Sequence, residues 1–286
     1  MIPLDAWYDG TRTTTVAGHR VCARSEGAGE VLVCLHGFPT SSWDFAPLWP
    51  ELTARFDVIA PDLVGLGRSD KAARPITVGL QADVVLGLLE AEGVTEAHLF
   101  VHDLGDTVAQ ELLARQAEGA SPVRWRSCLL LNGGLFPETH RPRLIQRLLA
   151  SPVGPVVAWF STERTFRRNL AATFGPHTQP DEAFLAGGWT LLAADGGRAA
   201  LPWLIRYMHE RRTHRARWVG VLERPVVPTR FVNGALDPVS GRHAAERYRA
   251  LVPDADVVLL EQLGHYPHVE DPPAVLAAFL DFHATL

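Results

Sequence analysis

Short runs of consecutive apolar residues punctuate the first half of the chain, and each ends at a polar residue. Residues 31–35, 56–60, 97–102 and 127–131 are such runs, rich in Val, Leu and Ala. They do not alternate apolar with polar positions, so they predict strands covered on both faces, as in a parallel sheet. Between them, residues 43–54, 78–92 and 107–118 space their apolar positions three and four apart, the mark of amphipathic helices. Strand, helix, strand in that rhythm implies right-handed crossovers. Earlier, residues 13–17 and 20–25 flank Gly18-His19 and predict an antiparallel hairpin at the sheet edge.

The pattern changes from about Leu135 to Trp218. This stretch is helical in character, interrupted by Pro and Gly, and carries Trp159, Phe160, Phe166, Phe174, Trp189, Trp203 and Tyr207. The earlier rhythm then returns, with strands over 226–232 and 257–260 and helices over 242–251 and 273–285. The expected fold is α/β: one mostly parallel, eight-stranded sheet flanked by helices, with an inserted helical cap. The core would comprise residues 1–134 and 219–286, and the cap residues 135–218.

Composition narrows the classes. The chain of 286 residues is 47% hydrophobic and 21% charged, ordinary for a folded domain. A formal charge of −5 argues against nucleic acid or an anionic membrane as partner. The one basic cluster, Arg211-Arg212-Thr213-His214-Arg215-Ala216-Arg217, reads as a solvated helix face. Cys22, Cys34 and Cys128 are odd in number and widely spaced, which fits neither a disulfide framework nor a zinc site, and no metal or cofactor is expected. No signal peptide or membrane-length apolar run is visible, so a cytoplasmic location is expected, with a homodimer one option for assembly.

Ligands of open parallel sheets bind beyond the carboxyl ends of the strands. The polar residues standing there are His36, Asp62, Asp103, Asn132, Asp237 and, after the last strand, His265. Among them are a nucleophile, an acid and a histidine in that chain order. Val101-His102-Asp103-Leu104-Gly105-Asp106 fits a sharp strand-to-helix turn with a small residue where the backbone passes close to itself. Asp103 needs no deprotonation to attack. A plainer reading makes it the N-cap of the next helix. His265 would be the general base, ranked above His268, and Asp237 would orient its ring. Asp237-Pro238 is also a turn starter. The backbone N–H groups of Phe38 and Leu104 would form the oxyanion hole.

These segments, His36-Gly37-Phe38-Pro39, Gly65-Leu66-Gly67-Arg68-Ser69-Asp70, His102-Asp103-Leu104-Gly105-Asp106 and Gly264-His265 through Glu270-Asp271-Pro272, together resemble the α/β-hydrolase superfamily in its epoxide hydrolase and haloalkane dehalogenase branch. Within it, Asn132 through Pro142 and Arg217-Trp218-Val219-Gly220 resemble the mesoderm-specific transcript homologue group. The resemblance implies an epoxide hydrolase that opens a small hydrophobic epoxide through an aspartyl ester on Asp103. It implies cap residues that donate to the ring oxygen: Tyr207, with His177 as its partner. Phe38, Trp159 and Trp203 would line the substrate pocket. A haloalkane dehalogenase would share Asp103, Asp237 and His265, but Leu104 and Phe38 lack the side-chain donors a halide needs. A vestigial site on a binding protein would predict an eroded triad, and the triad residues are intact.

Overall fold

The computed structural model describes residues 1–71 and 74–286. Eight strands form one sheet: β1 (Thr11–Val16), β2 (His19–Gly27), β3 (Val31–Leu35), β4 (Asp57–Pro61), β5 (Glu96–His102), β6 (Arg124–Leu131), β7 (Thr229–Gly234) and β8 (Asp256–Leu260). Their order across the sheet is β1-β2-β4-β3-β5-β6-β7-β8. The β1–β2 and β2–β4 pairs are antiparallel, and every pair from β4 to β8 is parallel. Leu32–Leu35 of β3, Ala97–His102 of β5 and Ser127–Leu131 of β6 are buried throughout. That is why these runs do not alternate: helices cover both faces of the parallel part.

Two local expectations shift. The hairpin turns at Ala17 and Gly18, both at positive φ (48° and 75°), one position earlier than the expected pair, and His19 pairs with Val16. Positive φ at both central residues matches the twist of a two-residue hairpin loop. The expected helix over 43–54 is broken into a 3-10 turn, Ser42–Phe45, and a short helix, Trp49–Thr53. Pro47 lies between them and can neither donate a backbone hydrogen bond nor follow an α-helical residue comfortably.

Between β6 and β7 the chain makes a series of helices from Leu144–Leu149 to Arg215–Glu223. The last of these lies along the helix Leu104–Ala117, which packs on the sheet. Trp218 Nε1 donates to Glu111 (2.8 Å), and Gln110 Nε2 donates to the Trp218 carbonyl (3.0 Å). The boundary expected at 218/219 falls within this helix. The three cysteines are free and buried. Among the described residues no helix is long and apolar enough to cross a membrane.

Candidate active site

β5 ends at His102 and the helix Leu104–Ala117 follows at once, leaving Asp103 to make the whole turn. Its backbone sits at φ 48°, ψ −99°, which a residue with a side chain adopts only when its surroundings impose it. The Asp103 N–H reaches the Leu131 carbonyl of β6 (3.2 Å), and the Gly105 N–H reaches the His36 carbonyl beyond β3 (3.1 Å). A Cβ on Gly105 would stand 2.2 Å from the Leu35 carbonyl oxygen, so only glycine lets the helix come this close. The Asp103 side chain does not cap the helix. Its Oδ2 accepts instead from the Phe38 N–H (3.0 Å). Leu104 opens the helix, so its N–H has no partner within it.

His265 stands in the turn after β8, held by its N–H on the Thr173 carbonyl (2.9 Å) and by its own carbonyl, which accepts from His102 Nε2 (2.8 Å). His265 Nδ1 lies 2.7 Å from Asp237 Oδ2. A carboxylate can only accept, so the Nδ1 proton is fixed and Nε2 is left for water. Asp237 is itself anchored: Asn132 Nδ2 donates to Oδ2 (3.0 Å), Ser240 Oγ lies 2.8 Å from the same oxygen, and the Val239 N–H donates to Oδ1 (2.7 Å). Burial disfavours charge on both partners. Their attraction outweighs it, lifting His265 to about 9 and holding Asp237 far below the usual carboxylate range. His36 and Asp62, at other strand ends, serve the framework. The Leu63 N–H donates to His36 Nε2 (2.9 Å), and Asp62 accepts from the Ser42 and Arg68 N–H groups (2.8 and 2.7 Å).

The helix Tyr207–Thr213 turns one face onto Asp103. Tyr207 and Arg211, four residues apart and so on the same face, are both buried. The Tyr207 hydroxyl sits beside Asp103 and Arg211 without a well-formed hydrogen bond, and burial pushes its acidity far below that of a free phenol. The Arg211 guanidinium stacks over the Tyr207 ring (4.5 Å). Its Nε donates to Thr107 Oγ1 (2.7 Å), and Nη2 donates to the Asp103 carbonyl (3.1 Å) and stands 3.7 Å from Asp103 Oδ1. Arg211 is therefore no part of a solvated face. In a run of charges nothing in the sequence separates this member from its exposed neighbours.

A family model described as "Alpha/beta hydrolase family" matches residues 32–279. The chain belongs to the alpha/beta hydrolase family. It is 38% identical to the mesoderm-specific transcript homolog protein of Homo sapiens, over 98% of this chain and 87% of that one. It is 37% identical to the protein LipZ of Mycobacterium tuberculosis, over 96% of each. Among solved structures, its fold resembles the epoxide hydrolase CorEH (TM-score 0.78, 20% identity, 96% and 98% coverage). It equally resembles the haloalkane dehalogenase DbeA of Bradyrhizobium elkani (TM-score 0.80, 21% identity, 96% and 99% coverage).

In this alpha/beta hydrolase a cleft of about 790 Å³, its open mouth included, descends to Phe38, His265 and Tyr266. Its walls mix apolar side chains, such as Leu149, Phe166 and Leu170, with Gln146 and Asn169. Phe38 lines this cleft, whereas three other residues expected at the site do not. His177 is exposed and lies outside the cleft. Glu270 accepts from the Gly175 N–H (2.8 Å) and from Thr178, pinning the turn so that His177 faces away. Trp159 is 75% exposed. It ends the helix Gly154–Trp159, whose buried side is Gly154 and Ala158, so the next residue is rotated outward. Trp203 is half-buried beneath Arg206 (4.2 Å) and faces a different cleft. Two groups of described residues have metal-like spacing: exposed Glu30 with buried His98 and half-buried His283, and the buried Asp44, His102 and His268.

Proposed function

We propose that this alpha/beta hydrolase is an epoxide hydrolase that works through a covalent ester on Asp103, beneath a cap formed by the inserted helices. The observation that carries the reading is the division of labour within one carboxylate. Oδ2 is held by the Phe38 N–H, while Oδ1 stands 3.7 Å from Arg211 Nη2, with the Tyr207 hydroxyl beside the same carboxylate.

In the first step Oδ1 attacks a ring carbon, the carbon–oxygen bond of the epoxide breaks, and the oxygen takes the proton of the Tyr207 hydroxyl. An unpartnered phenol in a dry site is poised to donate to that oxygen as charge grows there. With His177 outside the site, the fixed cation of Arg211 beside Oδ1 is the second source of stabilisation. In the second step His265 Nε2 takes a proton from water, whose oxygen attacks Cγ of the ester. The charge then falls on Oδ2, where the Phe38 and Leu104 N–H groups wait. The Cγ–Oδ1 bond breaks, the departing oxygen takes the proton from His265, and the diol leaves; the proton left on the Asp103 carboxyl returns to the Tyr207 phenolate, which restores both groups. Once Asp103 is esterified it no longer holds a charge near His265, so the imidazole gives up its proton more readily when it must act as a base. A halide leaving group would find no side-chain N–H donor at positions 38 or 104.

His265→Ala incubated with a panel of epoxides and haloalkanes, followed by intact-mass measurement, tests this. An epoxide-sized adduct on Asp103 is expected, and Tyr207→Phe should slow its formation by about 100-fold, within the range for a lost general acid. A haloalkane adduct alone, or neither adduct nor diol from the wild type, overturns the reading.

A further inference from the structure

A second, larger cleft is lined by Arg211 and bounded by other residues of the insert and by Pro75, Ile76 and Thr77. The chain as a whole is acidic, yet four arginines, Arg147, Arg206, Arg211 and Arg212, and three histidines, His140, His209 and His214, line this cleft. Glu210 is the one carboxylate among its lining residues, and its Oε2 is occupied by the Val78 N–H (3.1 Å). Arg147, Arg206 and Arg212 are exposed and have no carboxylate partner among the described residues. Elsewhere arginines pair freely with acids, as Arg215 and Arg217 do with Glu138 and Glu118.

At the base of the cleft one strong donor is buried and unpaired. Arg211, 2% exposed, uses Nε on Thr107 and Nη2 on Asp103, but its Nη1 has no partner. Nor has His140 Nδ1. Gly134 leaves room for the guanidinium: a Cβ there would stand 2.3 Å from Arg211 Nη1. A buried guanidinium N–H without an acceptor is costly, and an oxyanion is the group that best satisfies it. Between base and rim the walls are apolar, with Ile76, Ile205 and Trp203 among them.

We infer that this second cleft binds an anionic amphiphile, a carboxylate or phosphate carried on an apolar chain, with the oxyanion drawn to Arg211 and the rim arginines and the chain along Ile76, Ile205 and Trp203. Because the same guanidinium holds the Asp103 carbonyl, occupancy would be felt at the nucleophile. The inference does not depend on which bond Asp103 attacks.

Isothermal titration of the full chain at low salt, with octanoate, octyl phosphate, inorganic phosphate and octan-1-ol, tests it. At least one of the two anionic amphiphiles should bind, and whichever binds more tightly identifies the headgroup. The double variant Arg147→Ala/Arg212→Ala, both at exposed positions, should weaken that binding by about tenfold, equivalent to about 1.4 kcal/mol. Arg211→Lys keeps the charge but loses the fork, and should weaken it as well. Octan-1-ol or inorganic phosphate binding as tightly as the amphiphile overturns the inference. So does unchanged affinity in a folded double variant, or no binding to the wild type.

Discussion

Replacing Asp237 by Asn should cost stability in a way that depends on pH. In the folded protein His265 holds its proton up to about 9, against an ordinary histidine at 6.5. At about 1.4 kcal/mol per pKa unit, that difference is worth about 3 kcal/mol. Because the folded value is the higher one, this contribution is fully present below 6.5 and is lost as pH rises through about 9. In the variant the largest charge holding the proton is gone, and burial is opposed only by the weaker pull of Asp103 and Glu270, so the upward shift of His265 is mostly lost. At about pH 6 the variant should therefore unfold about 3 kcal/mol more easily, a fall in melting temperature of roughly 6–12 °C for a chain of this size. At about pH 10 both proteins carry a neutral His265, and the gap should shrink to that of an altered hydrogen bond, about 1 kcal/mol. Urea unfolding of both proteins at the two pH values measures it, and groups other than the pair cancel in the difference. A gap that stays constant, or widens toward pH 10, would refute the buried ion pair as the source of the shift.

Three further outcomes follow from the same contacts. Arg211→Met removes a buried cation from beside Asp103 and frees Thr107. It should destabilise the fold by about 3–5 kcal/mol in chemical denaturation, and an unchanged midpoint would place Arg211 outside the network. His177→Ala should leave both turnover and melting temperature within error of wild type, since the ring is exposed and outside the cleft. A loss of turnover would return His177 to the site. Gly105→Ala places a methyl group 2.2 Å from the Leu35 carbonyl oxygen and should abolish soluble folded protein or lower its stability by several kcal/mol, read by circular dichroism and melting.

The strand-end residues Asp103, Asp237 and His265 were legible from sequence because their placement depends on local order alone. An apolar run that ends at a polar residue puts that residue at the carboxyl edge of the sheet, and parallel pairing brings successive edges together. The same logic supplied the eight strands and the neighbourhood of Phe38. It could not say that Asp103 leaves the helix uncapped in favour of the Phe38 N–H, since both arrangements use the same residues. The insert was opaque for a physical reason. Which face of a short helix points inward is decided by its partners, not by its composition. So Trp159 turned outward one position past Ala158, His177 was carried away by the Glu270 contacts, and Arg211, indistinguishable in a run of arginines, was brought against the nucleophile by the rotation that also placed Tyr207. Sequence determined the fold and the strand ends at which Asp103, Asp237 and His265 stand. Tertiary packing alone decided what surrounds them.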